Sequence, residues 1–61
     1  MRFRIGDIVR IQEDYENNEY GTQECRVVFI YENVMSLETC RNGMNIGSWT
    51  ERYIRLVRRA S

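Results

Sequence analysis

The stretch that decides the fold is Phe3-Arg4-Ile5-Gly6-Asp7-Ile8-Val9-Arg10-Ile11. A short apolar lead-in meets a Gly-Asp pair, and a β-branched run follows. Isoleucine and valine lose side-chain freedom in a helix but pack well on a pleated surface, so residues 8–11 read as a strand. If Gly6-Asp7 leaves the alternation undisturbed, Ile5, Val9 and Ile11 share one side of that strand, with Phe3 in its lead-in.

Downstream, Gly21, Gly43 and Gly47 cut the rest of the chain into segments of strand length, and no proline, repeat or low-complexity tract interrupts them. Residues 12–24 are dense in Glu, Asp and Asn, with Tyr15 and Tyr20 as the aromatics. They read as a long first loop, and loops of that length are often binding loops.

Residues 25–40 admit two periodicities. Val27, Ile30, Tyr31 and Val34 fit a helical spacing, but the concentration of Val, Ile, Phe, Tyr and Thr favours strands. Glu32-Asn33 supplies a two-residue turn, because asparagine tolerates positive φ. In the resulting hairpin Tyr31 faces Val34, Phe29 faces Ser36, Val27 faces Glu38 and Cys25 faces Cys40. Val28, Ile30, Met35 and Leu37 then form the core face. Val27, Phe29, Tyr31 and Val34 form an outward stripe, more exposed apolar surface than a small monomer normally carries. The opposed Cys25 and Cys40 permit a cross-strand disulfide without requiring one.

Arg41-Asn42-Gly43 reads as a turn and Ile46 to Trp49 as a short strand. Thr50 caps a single tight turn over Glu51 to Tyr53, Ile54 to Val57 closes the sheet, and Arg58 to Ser61 are expected to fray.

Composition narrows the function. Sixty-one residues make one domain, 1–61, with a core too thin to hold an elaborate strained active site. Nine arginines balance nine acids, with no lysine and no histidine. The chain therefore lacks the cationic excess of a non-specific phosphate binder, and the usual mixed zinc sites cannot be assembled. Two cysteines fit neither a disulfide scaffold nor a metal motif, and reduced thiols are expected. There is no run of 18 apolar residues and no signal-like start, so a cytoplasmic location is expected, with no membrane contact.

The opening stretch, taken with Trp49-Thr50-Glu51-Arg52-Tyr53-Ile54-Arg55-Leu56-Val57, resembles the two ends of SH3-like small barrels. The likeness extends to KOW-type domains and to the short SH3-like proteins common in bacteriophage genomes. It implies an all-β fold, a five-stranded SH3-like small barrel with one short 3₁₀ turn before the last strand. KOW-type modules carry basic residues near the first loop, whereas this loop holds five acids and no base. Peptide-binding SH3 domains pair an acidic first loop with tyrosines and a tryptophan, types supplied here by Glu13, Asp14, Tyr15, Glu16, Tyr20 and Trp49. They also place Gly-Asp after that loop and have a proline near the last strand, so the likeness is one of layout.

The expected function is a non-catalytic protein-interaction module, of the kind of a phage or mobile-element accessory or inhibitor protein acting on a host protein. Its contact residues are Glu13, Asp14, Tyr15, Glu16 and Tyr20 in the loop and Val27, Phe29 and Tyr31 on the hairpin, and the stripe also allows a homodimer. The alternative is a nucleic-acid-binding barrel, since Arg2, Arg4, Arg10, Arg55, Arg58 and Arg59 come from strands that meet in an SH3-like layout. No nucleophile is paired with a base and no phosphate-binding glycine loop is present, so neither catalysis nor a cofactor is expected.

Overall fold

The computed structural model describes residues 3–12 and 23–60. Within them the chain runs through β1 (Ile8–Ile11), β2 (Cys25–Tyr31), β3 (Val34–Thr39), β4 (Asn45–Thr50), a 3₁₀ turn (Glu51–Tyr53) and β5 (Ile54–Arg58). All pairings are antiparallel, in the order β4-β3-β2-β1-β5. The all-β architecture, the five strands and the lone 3₁₀ turn before the last of them agree with the sequence reading. Closure into a barrel does not: β4 and β5 are the two edges of an open sheet, and no ladder joins them among the described residues.

What replaces closure is curvature. Ile54 from one edge strand is buried in the same cluster as Val9, Ile11, Val27, Met35 and Leu37, and Trp49 from the other edge packs against it. A flat single layer leaves both faces wet, so the sheet must coil over its own inner face. Register slips in the β1–β5, β2–β3 and β3–β4 pairings supply local bends.

The slip in β2 corrects the expected hairpin. Tyr31 pairs with Val34 and Phe29 with Ser36, as Glu32-Asn33 dictates, but one extra residue is absorbed at Val28. Beyond it Val27 pairs with Leu37, and Cys25 with Thr39 rather than with Cys40. Val27 is thus a fully buried core residue and not part of an outward stripe. Strict alternation would force Val27 to the same face as Phe29 and Tyr31. The bulge lets β2 send Cys25, Val27 and Ile30 inward while the two aromatics stay out. Both cysteines are free thiols.

A second correction concerns the lead-in. Gly6 takes φ +97°, and the Asp7 amide donates to the Arg4 carbonyl at 3.0 Å, so the turn inverts the alternation before β1. Phe3 is buried, whereas Ile5 is 61% exposed instead of joining Val9 and Ile11. Glycine is needed at this point, because a Cβ on Gly6 would also lie 3.1 Å from the Ala60 Cβ.

That contact reflects a third departure, at the C-terminal end. Arg58 belongs to β5, and the two residues after it are held by the wholly buried Asp7. Its carboxylate accepts from the Ala60 amide at 2.8 Å, the Arg4 amide at 2.9 Å and Arg59 Nη1 at 3.1 Å. Burial alone would raise the Asp7 pKa, but the Ala60 and Arg4 amides, then the hydrogen bond and charge of Arg59, outweigh it and hold the carboxyl below its usual range.

Candidate functional site

Pairing register decides which side chains share the outer face of the sheet. Tyr31, Val34 and Thr50 lie in one row across β2, β3 and β4, and Phe29, Ser36 and Ser48 lie in the next. A third row holds Arg26 and Glu38, with Asn45 beyond them on β4. Phe29 is 58% exposed and Tyr31 68%. Their cross-strand neighbours are too short to cover them; Ser36 and Ser48 instead meet each other, hydroxyl to hydroxyl, at 3.3 Å. The result is a low floor of hydroxyls and one valine beside two standing aromatic rings.

The same face continues onto β1 and β5. Ile8 pairs with Arg26 on one side and with Arg58 on the other, while Arg10 pairs directly with Arg55. Like charges directly opposed on a ladder destabilise it unless something stands between them. Glu24 provides part of the compensation, reaching Arg58 at 3.0 Å and Arg10 at 3.8 Å. Arg55 makes no ion pair among the described residues. A cationic half on β1, β5 and the start of β2 therefore adjoins an aromatic half on the rest of β2 and on β3 and β4.

The residues expected to bind fall into three groups. Phe29 and Tyr31 stand on the outer face as anticipated, while Val27 does not. Arg10, Arg55 and Arg58 share that face, whereas Arg59 is turned to Asp7 and Arg4 belongs to the turn before β1. Glu13, Asp14, Tyr15, Glu16, Tyr20 and Arg2 lie outside the described residues. Sequence reasoning passed over Arg26, which only the bulge at Val28 puts on the same face as Phe29. It also passed over the exposure of Ile5, which follows from the turn at Gly6.

Trp49 has the structural role: half-buried against the core, it donates its indole N–H to the Ile46 carbonyl at 3.0 Å. Burial, and secondarily the neighbouring Cys40, raises the pKa of the Cys25 thiol, the opposite of what a reactive thiolate requires. Among the described residues no group of three or more His, Cys, Asp or Glu side chains could hold a metal ion. No described helix is long and apolar enough to cross a membrane.

No family model matches the chain, and no curated protein or solved structure matches it either. The geometry of the outer face is what speaks to function.

Proposed function

We propose that this chain is a non-catalytic binding domain that engages another protein through the outer face of β2, β3 and β4, with Phe29 and Tyr31 as anchors. The observation that carries the reading is the exposure of these two aromatics, 58% and 68%, on successive outward positions of one strand. Aromatic rings bury roughly 150–250 Å² each and hold few rotamers, which makes them effective anchors at low entropy cost. At about 25 cal/mol per Å², covering both contributes several kcal/mol before the cost of association is subtracted. The strand order, with first and last strands paired, is compatible with the SH3-like likeness, and within that likeness the chain is a small accessory protein of the phage kind.

A second reading, an unpaired nucleic-acid strand stacked on Phe29 and Tyr31, is favoured by Arg10, Arg26, Arg55 and Arg58 on the same face. It ranks lower because Glu24 already occupies two of these guanidiniums and Glu38 stands opposite Arg26.

The test uses the Phe29→Ser/Tyr31→Ser double variant beside the parent chain. A protein partner retained by the parent in the native host should be lost by the double variant, with thermal unfolding unchanged. A labelled single strand titrated at low and moderate salt gives no salt-dependent binding if the protein reading holds, and tight salt-dependent binding replaces it with the second. Equal capture of every partner by both chains refutes the reading.

A further inference from the structure

The register of β5 leaves one side of its backbone open. The Gln12 amide donates to the Tyr53 carbonyl at 2.7 Å, which marks that pair as hydrogen-bonded. Ile11–Ile54, Arg10–Arg55 and Val9–Leu56 follow in the same register. Hydrogen-bonded and non-hydrogen-bonded pairs alternate along an antiparallel ladder, so Arg55 spends its backbone groups on β1. The Ile54 carbonyl and both the amide and carbonyl of Leu56 point the other way. Among the described residues no strand pairs with β5 on that side. The Ile54 amide is already used, donating to the Glu51 carbonyl.

Side chains make this edge a groove. A cavity of about 440 Å³ is lined by Phe3, Gln12, Ile54, Arg55, Leu56 and Arg59. Three consecutive strand residues line it, which happens when a groove follows a strand's backbone edge rather than one of its faces. Leu56 sits opposite the buried Val9, on the core-facing side, and is still 41% exposed, with no described residue roofing that end. Among the described residues no acid lines the groove, and Arg55 makes no ion pair.

We propose that the free edge of β5 takes an extended, carboxylate-bearing peptide segment of another protein, added to the sheet as a further strand. Backbone bonds to Leu56 would give affinity, an apolar side chain would sit over Phe3 and Leu56, and a carboxylate would meet Arg55. Charge argues for an acidic strand over a second copy of this chain. Pairing β5 with β5 would set arginines against arginines, because the strand carries Arg55 and Arg58 and no acid. The other edge is a poorer template. On β4, Gly47 takes φ +89°, the Asn45 side chain accepts from the Gly47 amide at 2.8 Å, and the β3–β4 register slips beside them. The β5 site is separate from the Phe29 and Tyr31 surface and stands or falls without it.

The probe is a library of random nonapeptides selected on the immobilised full chain, after which the recovered sequence is made as a capped peptide and titrated into isotopically labelled protein. The expected sequence alternates Glu or Asp with Val or Ile, and its binding shifts the Leu56 amide signal and slows its hydrogen exchange. Leu56→Pro removes the outward amide together with part of the apolar seat, and Arg55→Glu sets an acid where the carboxylate would bind; each should weaken binding about tenfold or more, the loss of at least one such interaction. Phe29→Ser should bind the peptide as the parent does. Should Leu56→Pro fail to fold, Arg55→Glu and the Leu56 exchange rate decide. The proposal is overturned by the absence of any selected binder, by binders without acid enrichment, by shifts confined to Phe29 and Tyr31, or by binding indifferent to Arg55→Glu. A dimer that forms through β5 in sedimentation would equally replace the acidic peptide with a second copy.

Discussion

The Ala60 amide donates to Asp7 Oδ1 at 2.8 Å across 53 positions of sequence, so a side chain from the first turn pins the end of the last strand. Removing the carboxylate takes the acceptor from two backbone amides and one ion-pair partner from Arg59 at once. Asp7→Ala should cost about 1–3 kcal/mol in urea denaturation, the range for leaving hydrogen-bonding groups unsatisfied, with little added by the half-exposed Arg59. Acid acts through the same group. Its folded pKa is lowered, so its contribution is complete above the unfolded value of about 4 and disappears as pH falls through the folded value. Stability measured downward from pH 5 should therefore drop more steeply in the parent than in Asp7→Asn; parallel profiles would show that Asp7 is not the acid-sensitive group.

Val27 and Phe29 stand two positions apart on β2 and ask opposite questions of the fold. Val27→Ala empties part of a fully buried site and should cost about 2 kcal/mol. Phe29→Ser removes a side chain that is mostly in water and should change stability by no more than about 0.5 kcal/mol. Reversal of that order in chemical denaturation would mean that the bulge at Val28 is absent and Phe29 faces inward.

The same pair shows how far the sequence could be read. Turn chemistry at Glu32-Asn33 fixes the hairpin from its tip, and the first three pairings follow from it. The bulge is invisible because Val27 and Val28 are chemically equivalent: either satisfies the inner face, and the choice is made by Leu37, Cys25 and the β1 ladder acting together. Gly6 announces a turn, yet nothing local says that the turn inverts the alternation and expels Ile5. Asp7 reads as a turn residue by type, and its capture of Ala60 needs the last strand to come back beside the first. The outer face was legible where alternation ran unbroken, at Phe29 and Tyr31, and illegible at Arg26, beyond the slip.

Cysteine accessibility gives a quick check of the same register. Cys25 is fully buried facing Thr39, its thiol kept protonated by burial, while Cys40 sits half-buried at the turn after β3. Iodoacetamide applied to the native chain near pH 8 should alkylate Cys40 first and Cys25 only on unfolding. Equal labelling of the two, read by peptide mass, would place Cys25 at the surface and contradict the pairing.

Glu32 marks the one described non-glycine position with positive φ, +54°, in the two-residue turn between β2 and β3. The sequence assigns that conformation to Asn33, but the chain puts it one residue earlier. The Asn33 carbonyl is held by the Glu51 amide at 2.8 Å, which ties the turn to the start of the 3₁₀ segment. A left-handed conformation costs an ordinary residue roughly 1–2 kcal/mol, and glycine gives back part of that relief through its freer unfolded state. Glu32→Gly should therefore stabilise the domain by roughly 0.5–1 kcal/mol, a rise of several degrees in Tm for a chain of this size. A fall in Tm would show that the Glu32 side chain supports the turn by more than its backbone strain costs.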